Sequence, residues 1–168
     1  MKRNQSNPIL KLAAVLAIAA FDACAEERQS KRIVISIPDR KLVLLEGNRI
    51  LKTYDVAVGK PSTPSPQGEF RIVNRIPQPT WYGSGKVVPP GKDNPLGTRW
   101  LGLSAKGYGI HGTNAPRSIG KAASHGCIRM RQHDVEELFG LVDVGVTVEV
   151  HSERPVLVAM MLAVAVAD

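Results

Sequence analysis

Two histidines and a cysteine lie within seventeen residues of this sequence, at His111, His125 and Cys127. A cysteine attacks as its thiolate, and a neighbouring imidazole can remove the proton from the thiol. Gly126 precedes the cysteine. A glycine at that place lets a substrate approach the backbone and leaves N–H groups free to bind an oxyanion. The spacing therefore predicts a nucleophilic cysteine site.

A structural zinc site is the alternative interpretation of the same residues. His111, His125 and Cys127 would then be three of the ligands, and His133, His151 or a carboxylate would have to supply the fourth. Cysteine-based zinc sites usually carry Cys-x-x-Cys pairs, and the two cysteines of this sequence are far apart. We therefore favour the nucleophile and expect no metal, nucleotide or organic cofactor.

These residues resemble the signature of the L,D-transpeptidases of the bacterial cell wall, which share a YkuD-like catalytic domain. The signature is a histidine, a short spacer, then Ser/Thr-His-Gly-Cys, an aliphatic residue and Arg or Asn. His111 and the run Ser124–Arg129 stand in that order. Upstream, Ser65–Phe70 resembles the family's Thr-Pro-x-Gly-x-Phe turn, with serine in place of threonine. The resemblance covers about residues 31–151.

The resemblance implies a mainly β fold, mixed β-sandwich or barrel-like, with one short amphipathic helix after the cysteine. It also implies that Cys127 attacks a peptidoglycan stem tetrapeptide and forms a thioester acyl-enzyme. The acceptor could be the amine of another stem, giving a 3-3 crosslink, or a lysine of an envelope lipoprotein. Water as acceptor would make the chain an L,D-carboxypeptidase. A non-catalytic peptidoglycan-binding domain is a further alternative, and it is disfavoured because Cys127 and His111 are both present.

The two histidines of the signature compete for the role of general base. The resemblance favours His111. His125 lies two residues before Cys127, and the two side chains share one face if the segment is extended. His125 could therefore be the base, or it could hold the loop in place.

The other residues of the signature are candidates for substrate binding. The backbone N–H groups of Gly126 and Cys127 are the predicted oxyanion donors. Ser124 could orient a histidine or satisfy the turn. Arg129 could hold a substrate carboxylate in a bidentate pair, or it could brace the loop.

The first 25 residues have the pattern of an export signal. A basic start precedes an apolar run from Ile9 to Phe21, and small residues at Ala23 and Ala25 suit a signal peptidase. We expect a signal peptide over 1–25 and a mature protein in the periplasm or cell-wall space. A buried first helix and a lipidated Cys24 are the alternatives.

The remaining chain divides into a polar linker (26–31), the catalytic domain (32–151) and an apolar tail of unknown role (152–168). The apolar segments are too short to span a bilayer, which needs ~20 residues, so we expect no stable membrane span. The formal net charge is +7, which suits anionic partners such as carboxylate-rich stem peptides. Scattered basic residues and few aromatics disfavour nucleic acid.

Short β-branched runs bounded by turns predict strands, and one stretch after the cysteine has helical periodicity. The strands are predicted at 32–37, 41–46, 49–58, 70–73, 100–103, 108–110 and 146–150. The helix is predicted around Val135–Val142, with Asp134 and Glu137 in its first turn, where acidic groups suit the helix dipole. The Pro- and Gly-rich segment 77–99 is predicted to be a flap without regular structure over the site.

Overall fold

The computed structural model of this protein describes residues 30–83 and 85–154. The predicted signal peptide (1–25), most of the linker and the tail from residue 155 onward lie outside the described residues. Within the described part of the chain, no helix is long and apolar enough to cross a membrane.

The described ranges are mainly β, with one α-helix and one 3-10 turn, as predicted. The strands are β1 (Lys31–Ser36), β2 (Lys41–Glu46), β3 (Arg49–Asp55), β4 (Val58–Gly59), β5 (Gly68–Pro77), β6 (Trp81–Gly83), β7 (Lys86–Val88), β8 (Arg99–Leu103), β9 (Gly109–His111), β10 (Ala122–Ser124), β11 (Ile128–Arg129) and β12 (Thr147–His151). The 3-10 turn is Pro116–Ser118, and helix α1 is Gln132–Leu141.

One mixed sheet of eight strands organises the molecule, in the order β11-β9-β8-β5-β12-β1-β2-β3. Its two edges approach each other, because Ala57, just after β3, pairs with Arg129 of β11 through two hydrogen bonds of 2.9 Å. The sheet is therefore curled, and the prediction of a mainly β, barrel-like fold is confirmed. The short parallel pair of β4 and β10 adjoins this closure.

The core lies inside the curl and follows the alternation of the strands. Ile33 of β1 faces Leu44 of β2 and Val148 of β12, and all three side chains are fully buried. Helix α1 adds the buried Val135 and Leu138 to the same core. Burying such a side chain contributes about 1.5–3 kcal/mol to the stability of the folded state. The packed interior therefore holds β9 and β11, and the loops at their ends, in place.

Several predicted element boundaries were wrong in instructive ways. The third strand does not run to residue 58, because the chain leaves β3 to make the Ala57–Arg129 bridge. The segment 77–99 is not without regular structure, since β6 and β7 form a hairpin in it. Glu137 lies in the second turn of α1, not the first, because the helix already begins at Gln132.

The predicted domain limits shift slightly at both ends. Lys31, placed in the linker, is the first residue of β1. At the other end, the predicted tail begins with polar residues, and the Arg154 guanidinium contacts the Asp39 carboxylate at 2.8 Å. Ordered contacts of the domain therefore extend to Arg154.

Candidate active site

His111 ends strand β9, and Cys127 lies directly before the neighbouring parallel strand β11. Strands β9 and β11 pair in parallel, with Ile128 opposite Ile110 and Arg129 opposite His111. Cys127 directly precedes β11. Because His111 and Arg129 are opposite each other in this register, their side chains project from the same face of the sheet, and Cys127 lies two residues before Arg129. The fold thus brings three of the predicted residues to one end of the sheet.

A tight hairpin presents His111 at this place. Strand β8 pairs with β9 so that Trp100 lies opposite His111. In the turn between them, the Leu103 N–H donates to the Tyr108 carbonyl and the Tyr108 N–H donates to the Ala105 carbonyl. On the other side, the Met130 N–H directly after β11 donates to the His111 carbonyl at 2.8 Å. Backbone pairing on both sides therefore fixes the position of His111.

Ser124 holds the loop that carries the cysteine. Its buried hydroxyl donates to the Cys127 carbonyl at 2.6 Å and accepts from the Gly126 N–H at 3.0 Å. Gly126 has a φ of +113°, and a Cβ there would lie 2.6 Å from a ring carbon of Tyr108. Both the backbone conformation and the close contact with Tyr108 require glycine at this position.

This hydrogen bonding bears on the predicted oxyanion donors and on the predicted role of Ser124. The Gly126 N–H is used by Ser124, so it is not free to bind an oxyanion in this structure. The Cys127 N–H makes no hydrogen bond with any residue in the described ranges, so it is the donor left open. Of the two roles considered for Ser124, the structure shows the turn-satisfying one.

The environment of His111 makes its imidazole neutral. The side chain is only 4% exposed, and its ring stacks on Trp100 with the centroids 5.7 Å apart. Burial lowers the pKa of His111 to about 4, helped by the charge of Arg129 and opposed by hydrogen bonds with the backbone of Gly112 and Leu96. The imidazole is therefore uncharged, and able to accept a proton, near pH 7.

The Gly112 carbonyl sets the tautomer of this imidazole. Nδ1 of His111 lies 2.5 Å from the Gly112 oxygen. A carbonyl oxygen can only accept, so Nδ1 carries the hydrogen and Nε2 is the nitrogen that can take up a proton. The carbonyl has the orienting role that a third residue has in catalytic triads.

Cys127 is half-buried, and its thiol is protonated at rest. Sγ donates weakly to the Gly107 carbonyl at 3.7 Å. Burial raises the pKa of Cys127, while a backbone hydrogen bond with Gly109 and the charge of Arg129 act in the opposite direction. At rest the site therefore pairs a neutral thiol with a neutral imidazole.

Arg129 and His125 are two polar side chains of the signature that have no hydrogen-bond partner among the described residues. The Arg129 guanidinium has no hydrogen bond or ion pair with another described residue, yet its charge acts on both His111 and Cys127. Such a cation beside the nucleophile is available for an anionic ligand. His125 is exposed and likewise unbonded within the described ranges, and its role as base stays a prediction.

The histidines needed for the zinc alternative are engaged elsewhere. His133 contacts the Asp134 carboxylate at 2.8 Å, and His151 contacts the Glu149 carboxylate at 3.2 Å. Over residues 30–83 and 85–154, no three His, Cys, Asp or Glu side chains cluster so that they could hold a metal ion.

The comparison with family models decides the family. The L,D-transpeptidase catalytic domain, YkuD, matches residues 30–150. The chain belongs to the L,D-transpeptidase family. All residues of the site described above lie inside this transpeptidase domain.

Individual relatives agree with this assignment. The domain is 49% identical over 119 residues to the provisionally named L,D-transpeptidase YkuD of Bacillus licheniformis and 46% identical over 119 residues to that of Bacillus subtilis. Each match covers 71% of this chain but only 64% and 65% of those relatives, so the chain spans just under two thirds of their length. The structure of the catalytic domain from E. faecium L,D-transpeptidase superposes with a TM-score of 0.60 at 26% identity, covering 73% of this chain and 98% of that one.

Sequence reasoning missed several residues that shape the site. The Gly112 carbonyl, the Trp100 ring and the buried Asn94 all act on His111 or on the segment beside it. A backbone carbonyl has no signal in a sequence. Trp100 is adjacent to His111 only through the β8–β9 pairing, which would have had to be assigned in exact register.

Proposed function

We propose that this chain is an exported L,D-transpeptidase that acts on peptidoglycan stem peptides through a thioester on Cys127. One observation carries the proposal. A half-buried thiol, a buried neutral imidazole and an unpaired guanidinium lie at the same end of the β9–β11 pair, inside the domain that matches the family. Each of these three groups has a task in acyl transfer from an anionic peptide.

In the first half-reaction, Cys127 takes the acyl group of the donor stem. Sγ attacks the carbonyl carbon of the amide before the terminal D-alanine, and Nε2 of His111 accepts the thiol proton during the attack. The free Cys127 N–H is suited to stabilise the oxyanion. When the C–N bond breaks, the D-alanine amine leaves with the proton from His111, and a thioester remains.

In the second half-reaction, an acceptor amine releases the acyl group. The amine attacks the thioester carbonyl, His111 takes the proton from the attacking nitrogen, and the sulfur leaves and regains that proton. A second stem as acceptor gives a crosslink, and a lysine of an envelope lipoprotein gives protein attachment. Water in place of the amine would trim the stem.

Arg129 is the candidate for binding the peptide. Stem peptides carry carboxylates near the bond to be cut, and a guanidinium with no partner can hold one of them with two parallel hydrogen bonds. Its position opposite His111 in the sheet register places this cation beside the reacting groups. Binding of an anion there also offsets the charge that lowers the pKa of His111, which would make His111 a better base.

The proposal is tested by product analysis. The purified protein is incubated with a disaccharide-tetrapeptide, and the products are separated and weighed by mass spectrometry. We expect stem dimers with release of D-alanine, and none from a folded Cys127→Ala variant. A wild-type protein that yields neither dimers, nor lipoprotein conjugates when that acceptor is supplied, nor trimmed stems would contradict the proposed activity.

A further inference from the structure

Asn94 is a fully buried polar residue outside the transpeptidase signature. Its side chain has no exposed surface, and it lies in the loop between β7 and β8. Nδ2 donates to the carbonyls of Pro79, Val88 and Pro89 at 2.8–3.1 Å. Oδ1 accepts from the Leu96 N–H at 2.8 Å. A buried amide that uses its donors and its acceptor in this way fixes the chain segments that it joins.

The segment fixed by Asn94 lies against the turn that follows His111. The Asn94 carbonyl accepts from the Gly97 N–H at 3.1 Å. Gly97 packs closely on Gly112, because a Cβ at Gly112 would lie 3.2 Å from the Gly97 Cα. The Gly112 carbonyl in turn lies 2.5 Å from Nδ1 of the His111 ring. The residues that follow Asn94 therefore pack against the turn directly after His111.

Helix α1 also contacts the segment that follows Asn94. The Gln132 side-chain oxygen accepts from the Thr98 N–H at 3.2 Å, and the side chain contacts both Gly97 and Gly112. The helix thus holds the C-terminal end of this segment, at Thr98. At its N-terminal end, the hydrogen bond from Asn94 to the Val88 carbonyl joins it to the β6–β7 hairpin.

We infer that Asn94 is a positioning residue for His111, acting through Gly97 and the adjoining Gly112 to hold the imidazole in place. The inference rests on the proposed function of His111 as general base. Without the Asn94 amide, the buried bond to the Pro79 carbonyl and the partly buried bonds to Val88, Pro89 and the Leu96 N–H would all be lost, which is costly enough to make the segment rearrange. Water would then reach the imidazole, and the ring would lose its fixed orientation.

The test compares Asn94→Ala and Asn94→Asp with wild type. The Asp variant keeps an acceptor for the Leu96 N–H but loses the donors to the three carbonyls. Asn114→Ala is the matched comparison, because Asn114 donates to the Asp93 carbonyl of the same loop from an exposed position. Thermal unfolding shows which variants are folded. Three quantities are then measured: kcat and KM for transpeptidation, the titration of His111 by NMR, and hydrogen exchange of the Leu96 amide.

We expect a loss of kcat of about 100-fold in both Asn94 variants, the scale of a small misplacement of a catalytic group, with KM little changed. The pKa of His111 should rise from about 4 toward its ordinary value of 6.5, and the Leu96 amide should exchange faster. The Asn114 variant should show a clearly smaller effect on all three quantities.

Two results would overturn the inference. The first is a folded Asn94→Ala protein in which the His111 titration and kcat are those of wild type. The second is global unfolding of both variants, which would make Asn94 a residue of fold stability alone. If the wild-type protein has no transpeptidase activity, the proposed function fails, while the titration and exchange data still decide the role of Asn94.

Discussion

Single hydroxyl and carbonyl groups, more than the two reacting side chains, determine the geometry of this site. Ser124 closes the cysteine loop with two hydrogen bonds, and the Gly112 carbonyl selects the tautomer of His111. The reacting groups are both neutral at rest because both are buried. In the proposed reaction, we therefore expect proton transfer from Cys127 to His111 to be part of the attack and not to precede it.

Replacing Ser124 by alanine should loosen the cysteine loop. The change leaves the buried Gly126 N–H without a partner and removes the donor to the Cys127 carbonyl, so we expect a loss of unfolding free energy of about 1–3 kcal/mol. Turnover should fall as well. Ser124→Thr is the control, because it keeps the hydroxyl. Thermal unfolding and kcat/KM measure the two effects, and equal losses in both variants would contradict the role given to the hydroxyl.

The lowered pKa of His111 predicts how the free energy of unfolding depends on pH. Its pKa is about 4 in the folded state against 6.5 for a free histidine, so the folded state favours the neutral form. The stabilisation is complete above about pH 6.5 and is lost as the pH falls toward 4, since the unfolded chain then binds a proton that the folded chain does not. The shift corresponds to about 3 kcal/mol.

The measurement is the free energy of unfolding by urea between pH 4 and pH 7, for wild type and for His111→Gln. Wild type should lose stability across this range, and the variant should lose clearly less. A parallel fall in the two proteins would show that His111 is not a buried neutral group.

At the scale of elements, Glu137 connects helix α1 to strand β3, a role that differs from the one predicted from the sequence. Glu137 was predicted to act on the helix dipole, yet its carboxylate accepts from the Tyr54 hydroxyl at 2.9 Å and pairs with Lys52. The hydrogen bond from Tyr54 is half-buried, whereas the pair with Lys52 is exposed. The tyrosine contact should therefore be the stronger of the two.

A double-mutant cycle tests this tie. We expect Tyr54→Phe to destabilise the protein by about 1.5–3 kcal/mol, the cost of losing a hydrogen bond to a charged group, and Lys52→Met by less than about 1 kcal/mol. Adding Glu137→Gln to Tyr54→Phe should cost little more. Additive losses measured by urea unfolding would mean that the hydroxyl and the carboxylate do not interact.

The strands and the helix were predictable where hydrophobic periodicity was uninterrupted. Strand β2 has the predicted bounds, and α1 covers most of the predicted helix. The prediction failed where long-range pairing overrides local pattern. The chain leaves β3 for the bridge between Ala57 and Arg129, which lie tens of residues apart in the sequence. A propensity cannot reveal a partner that lies tens of residues away.

The candidate site was predictable to the extent that it is contiguous in sequence. The run from Ser124 to Arg129 predicted the nucleophile and the adjacent cation. The sequence did not indicate that the Gly126 N–H has a competing acceptor, the side-chain hydroxyl two residues earlier. Choosing between these two acceptors requires the loop conformation.

At the scale of the whole molecule, the curled sheet connects the site to the rest of the chain. The edge strand β11, which follows the nucleophile, is also the strand that meets the segment after β3. The cysteine therefore lies where the sheet closes on itself. Opening this closure by mutation should move Cys127 relative to His111 without removing either.

Export is the prediction that concerns the whole chain. The Ala23-x-Ala25 pattern predicts a mature protein that begins at Glu26 and carries Cys127 as its single thiol. N-terminal sequencing and thiol titration of the protein from an envelope fraction measure both. A first residue Cys24 bearing lipid would contradict the prediction and place the protein on a membrane anchor.

The most direct test of the central claim is detection of the acyl-enzyme itself. The protein is mixed with a disaccharide-tetrapeptide, quenched in acid at early times and weighed intact. We predict one adduct per chain with the mass of the stem minus D-alanine, mapped to Cys127 and removed by hydroxylamine, as expected of a thioester. An adduct on Ser124, or a protein that turns over the substrate with no adduct on Cys127 at any time, would contradict the claim that this cysteine is the nucleophile.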